Sequence, residues 1–139
     1  MPAIVRPPPR ERPRDEATIQ WEIRRRLGRP PFTGPSGFLA LRRNAQVATD
    51  IYDEKRGGAK FVSGGLGKGT SDIIGLVQTV SGVGRFFAIE VKTPEGRATP
   101  EQLEFLALVN RLGGYGCICR SADEAEQHAH RAREGLAAP

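Results

Sequence analysis

Apolar residues Ile19, Ile23 and Leu27 recur at helical spacing, with Glu16 and Gln20 on the same stripe and Arg24, Arg25 and Arg26 mostly off it. This predicts a helix from Asp15, ended by Gly28 and the prolines that follow. "GFLALRRN" (37–44) reads as a strand, and "AKFVS" (59–63) as another after a polar stretch. The clearest strands are "SDIIGLVQTV" (71–80) and "RFFAIEVK" (85–92), joined through "SGVG" as a hairpin. Thr99 as N-cap, Pro100 at the first helical position and Gln102 at the third open a second helix, which runs to Leu112 and closes at Gly113-Gly114. "YGCICR" is a last short strand, and "SADEAEQHAHRAREG" a polar helix capped by Ser121. No internal repeat and no second domain emerge from this order.

At 139 residues the chain suits one domain with a modest core, expected over residues 15–135. No apolar run has the roughly 18 residues of a membrane span, and the Pro/Arg-rich start does not resemble a secretory signal, so a cytosolic protein is expected. Of the formal net charge of +5, residues 1–14 supply +3 through four arginines and one glutamate. That stretch has no periodic apolar pattern and is read as a disordered arm, fit either to add affinity for phosphates or simply to solubilise.

The polar residues set into apolar strands bring in chemistry. By alternation, Phe86, Ala88, Glu90 and Lys92 share one face of their strand, and Phe87, Ile89 and Val91 the other. In a hairpin the start of the first strand lies beside the end of the second, so Asp72 should meet Glu90 and Lys92. Two close carboxylates repel, and neither tolerates desolvation alone. A hard divalent cation, Mg²⁺ or Mn²⁺, relieves both problems, and Lys92 is placed to orient or deprotonate an attacking water. The same three residues also fit an ordinary ion-pair cluster at a strand end. Glu16 on the first helix and Gln102 on the second, the latter in line with Phe105, Leu106 and Val109, face inward and join the same site. For Gln102, capping and a site contact are expected to compete for one side chain.

Other motifs weigh less. "SGGLGKGTSD" (63–72) lacks the spacing of a nucleotide-binding P-loop, which leaves Lys68 as a phosphate contact or a solvated lysine. Cys117 and Cys119, two apart, are read as small core residues rather than a disulfide or zinc pair. His128 and His130 lack metal-ligand spacing and are assigned to the surface, and Trp21 to packing or an interface.

The run "GLGKGTSDIIGLV…GRFFAIEVKTPEGRATPEQLEFLALVNRLGGYGCICRS" resembles the VRR-NUC (virus-type replication-repair nuclease) domain of the PD-(D/E)xK superfamily over about residues 15–125. The resemblance implies an α/β fold with a restriction-endonuclease-like core, a central mixed β-sheet flanked by helices. It further implies hydrolysis of DNA phosphodiester bonds with Mg²⁺ or Mn²⁺. Carried over by residue, Asp72, Glu90 and the Val91 carbonyl ligate metal, Lys92 positions the water, and Glu16 and Gln102 complete the catalytic set. Asn44 in "LRRN", with its neighbour Arg43 and with Lys68, is assigned to DNA. Ser71 stands where the superfamily has a proline. Small stand-alone members imply a homodimer acting on branched DNA, a Holliday junction or flap, or on duplex DNA, in the cytoplasm of a bacterium or virus-infected host cell. The alternative is a DNA-binding module that keeps the fold without turnover.

Overall fold

The computed structural model describes residues 14–44 and 69–139 in full, together with the backbone of 48–53 and 58–63. Helix α1 (Glu16–Leu27) starts where the Asp15 carboxylate accepts the Thr18 N–H at 2.8 Å, and it buries Ile19, Ile23 and Leu27. The predicted stripe is thus its packed face. Strand β1 (Leu39–Arg43) follows. The polar stretch before "AKFVS" is itself a strand: β2 (Ala48–Asp53) pairs antiparallel with β3 (Gly58–Ser63) in a separate two-stranded sheet. Thr49, Asp50 and Asp53 leave only Ala48 and the adjacent Ile51 and Tyr52 as apolar positions, which hides this strand from an apolar count.

Strands β4 (Ile73–Gln78) and β5 (Gly84–Val91) form the expected hairpin. Helix α2 (Pro100–Arg111), strand β6 (Tyr115–Cys119) and helix α3 (Ala122–Arg133) complete the chain. The main sheet runs β1-β4-β5-β6, antiparallel except for the parallel pair β5–β6, which α2 connects as a crossover. It is therefore mixed and flanked by helices, as expected.

Alternation divides the core between the two faces. Ile73, Val77, Phe87, Ile89 and Val91 pack with the apolar sides of α1 and α3, where Ala125, Ala129 and Ala132 let α3 approach closely. On the other face Ala88 meets Leu106 and Val109 of α2, with Ile74, Phe105 and Ile118 at the margin. The α2 layer leaves part of its face open, and Leu76 is 57% exposed and Phe86 37%. Arg85 ties the far end together, donating to the carbonyls of Gly113 (3.0 Å), Gly114 (3.1 Å) and Leu136 (2.7 Å). The Pro/Arg arm lies outside the described residues except for Arg14, which pairs with Glu22 at 2.9 Å. Lys68 also lies outside them.

Strand β1 presses tightly on β4 at Gly75, where a Cβ would stand 1.9 Å from the Ala40 carbonyl oxygen. Gly75→Ala is therefore expected to destabilise the fold by about 1–3 kcal/mol. The change should appear as a lower urea midpoint at unchanged slope. An unaltered midpoint would mean that the two strands do not approach this closely.

Candidate active site

The site forms where β1 and β5 end and β4 begins. Ile73 pairs with Ile89, and continuing that antiparallel register by one residue sets Asp72 opposite Glu90. Asp72 is held by its surroundings at both backbone and side chain. Its Oδ2 accepts the Val91 N–H at 2.8 Å, and its carbonyl accepts the Asn44 N–H at 2.8 Å. Asn44 thus reaches the site through its backbone, while Arg43, paired with Ile73, presents an exposed side chain at the same end of the sheet.

Glu90 is the central group. It is 1% exposed, and its Oε1 accepts the Gln102 side-chain amide at 2.5 Å and lies 3.4 Å from the Lys92 ammonium. Its Oε2 is buried with no hydrogen-bond partner among the described residues. Burial, followed by the Asp72 charge, raises the Glu90 carboxyl to about 7, with Lys92 acting in the opposite direction. Lys92, itself buried, also reaches Glu16 Oε1 at 3.5 Å. Four of the sequence-derived site residues are thus joined by direct side-chain contacts through Glu90 and Lys92, and Asp72 stands against them.

Gln102 resolves the expected competition differently. Its Oε1 accepts the Thr99 N–H at 2.8 Å to complete the capping box, while its Nε2 donates to Glu90. The two ends of one amide serve both purposes, so capping fixes the site contact instead of displacing it. Glu16 sits in the first turn of α1 and Gln102 in the first turn of α2, so two helix N-termini are directed toward this end of the sheet. Their partial positive charge favours acids and phosphate oxygens there.

The donor set fits a hard dication. Asp72 and Glu90 offer carboxylate oxygens side by side, and Glu90 Oε2 is a buried acceptor without a partner among the described residues. Val91 brings its backbone to the same point.

Arg120 was not indicated by the local pattern. It donates to the carbonyls of Thr93 and of Gly96 (2.7 Å), pinning the turn between Lys92 and α2. Its backbone N–H is in turn bound by the Glu124 carboxylate at 2.8 Å. These contacts span 24 residues or more, so no local spacing reveals them. Fully buried Ser71 precedes Asp72, and its hydroxyl has no partner among the described residues. His128 departs from its surface assignment and is half-buried, whereas His130 is exposed as assigned. The Tyr115 hydroxyl lies 2.6 Å from His128 Nδ1, and the His130 ring packs 5.4 Å from that of Phe32. Trp21 is 56% exposed, with Arg25 over its ring at 5.1 Å.

A family model described as the VRR-NUC domain matches residues 17–123. Comparison with curated proteins and with solved structures returned no match.

The raised Glu90 carboxyl has a signed consequence for the metal-free protein. Between its ordinary value of 4.5 and about 7 the folded state holds a proton that the unfolded state has released. Stability therefore falls as pH rises through that window, by on the order of 3 kcal/mol, and is level above it. In chelator, thermal melts of the wild type should show this decline, and Glu90→Gln, which cannot ionise, should flatten it. Identical pH profiles for the two proteins would contradict the assignment.

Proposed function

We infer the function from one premise: the chain belongs to the VRR-NUC family, and is therefore a nuclease, a hydrolase acting on DNA. Its mixed sheet flanked by helices is the PD-(D/E)xK-like fold of that family. Within that class, we propose a metal-dependent endonuclease that cuts branched DNA as a homodimer in the cytoplasm. The nuclease domain is assigned to residues 15–135. The observation that carries the proposed site is the buried Glu90, with one oxygen free of partners among the described residues, set against Asp72 and Lys92.

Asp72, Glu90 and the Val91 carbonyl would hold Mg²⁺ or Mn²⁺, which when bound supplies a Lewis acid for the phosphate and lowers the pKa of a water. Hydrolysis forms a bond from water oxygen to phosphorus and breaks the bond from phosphorus to the leaving sugar oxygen. Lys92 carries three N–H donors. Turned from its present carboxylate partners, it can fix the attacking water or steady charge on the phosphate. Glu16 and Glu90 both hold the ammonium, so Lys92 is positioned by two carboxylates. Gln102 sets the Glu90 carboxylate plane by donating to one oxygen, leaving the other for the ion. Arg43 and Asn44 adjoin this end of the sheet and are assigned to the DNA strand, as is Lys68. The arm over residues 1–14 adds sequence-independent attraction to phosphates.

The homodimer is supported by the uncovered part of the sheet. Ile74, Leu76 and Phe86 line a shallow apolar depression of about 480 Å³ on the sheet face that α2 only partly covers. A second copy seated there removes this surface from water and supplies the second site needed to cut two strands of a junction.

Labelled duplex, flap and four-way junction DNA, incubated with Mn²⁺ or with EDTA, tests the reading. Cleavage should require the ion and favour branched substrates. Asp72→Asn and Lys92→Ala should each slow it roughly 10²–10⁴-fold while leaving folding and DNA affinity near wild type. Binding without cleavage of any substrate would instead identify a DNA-binding module that keeps the fold. For the dimer, light scattering should give twice the 15.1 kDa chain mass, and Leu76→Glu should give the single-chain mass with unchanged secondary structure. A monomeric wild type would remove that part of the proposal.

A further inference from the structure

Cys117 and Cys119 project from the same side of β6, the side that carries the core beneath α3, whereas Glu90 projects from the opposite side of the neighbouring β5. Their sulfurs lie 3.7 Å apart, and one ring nitrogen of His128 on α3 is within 4.8 Å of both. Residues too sparse in sequence to form a metal motif are therefore brought together by the packing of α3 on the sheet edge.

We propose that Cys117, Cys119 and His128 form a second metal centre, for a thiolate-preferring dication of the zinc type, chemically distinct from the carboxylate site. Zinc–sulfur bonds of about 2.3 Å in a tetrahedron place two sulfurs about 3.7–3.8 Å apart. The observed separation already meets this, so binding needs little movement of either side chain. Two thiolates and an imidazole select zinc over Mg²⁺ or Mn²⁺. A groove of about 380 Å³ at the sheet edge, bordered by Asn110, Cys117, His128 and Pro139, leaves the remaining position open to water.

The environment favours the bound form. Burial pushes the Cys117 thiol well up, so an isolated thiolate is disfavoured there. A dication held by two thiolates is neutral overall and avoids that penalty. Binding forms two metal–sulfur bonds and one metal–nitrogen bond, and releases one proton from each thiol to solvent. Burial lowers the His128 pKa, which keeps the imidazole neutral, as a ligand must be. The Tyr115 hydroxyl, on Nδ1, pins the ring. Because Cys119 pairs with Val91, such a centre braces the strand that carries Glu90.

Co²⁺ tests this in the reduced, metal-free full chain, since sulfur-to-cobalt charge transfer reports thiolate ligation and a carboxylate site cannot produce it. One equivalent should generate that absorption with tetrahedral d–d bands, and Zn²⁺ should displace it. Asp72→Asn should leave the signal intact, His128→Gln should weaken Co²⁺ binding at least roughly tenfold, and the Cys117→Ser, Cys119→Ser double variant should abolish it. If the double variant does not fold, alkylation of the wild type serves instead, with Zn²⁺ expected to slow thiol modification at least roughly tenfold. No charge-transfer band at saturating Co²⁺, a band that survives loss of both thiols, or alkylation indifferent to Zn²⁺ would overturn the proposal. Each readout is independent of DNA cleavage, so its failure leaves the nuclease reading untouched.

Discussion

The structure turns on a carboxylate kept almost wholly out of water at the end of a strand. Glu90 is surrounded by one amide, one ammonium and a second acid, and half of its accepting capacity has no partner among the described residues. Removing an ionised carboxylate from water costs several kcal/mol unless it is paired and hydrogen-bonded. Lys92 offsets part of this cost and Asp72 adds to it, so the carboxyl is poised to titrate near neutral pH. The proposed hard dication between Asp72 and Glu90 would relieve this tension, which an ordinary ion pair leaves unresolved.

The surrounding architecture keeps that arrangement in place. The β4–β5 register sets the two acids opposite each other, and the Val91 N–H fixes Asp72 in turn. Thr99 begins α2 at the position that lets Gln102 cap the helix and reach Glu90 together. Two arginines act at a distance. Arg120 ties down the turn that follows Lys92, and Arg85 gathers the opposite end of β5, the start of β6 and the tail of α3. Both use several carbonyls, a role suited to a fork of five donors. The ends of the strand carrying the site are thus each held by a guanidinium.

Much of this was legible in the residues themselves. Period-2 alternation in "RFFAIEVK" placed Glu90 and Lys92 on one face, and a short hairpin connection sufficed to bring Asp72 beside them. The capping signature around Thr99 and Gln102 fixed both a helix start and a site contact, although its two uses proved compatible. Less legible were features whose cause lies far along the chain. Strand β2 carries few apolar residues and exists through pairing with β3. His128 reads as a surface residue, and no local pattern singles out Arg85 or Arg120, until helices and turns from distant segments close over them. Periodicity reports which face is apolar, but it does not report which polar groups another element will deliver to that face.

The most direct test of the account is a side-chain carboxyl titration of Glu90 by ¹³C nuclear magnetic resonance, without metal and then with Mg²⁺. The metal-free protein should show a midpoint near 7, displaced well downward when the ion is added, with Asp72 resonances shifting in step. A midpoint in the ordinary carboxylate range, unmoved by saturating Mg²⁺, would contradict it.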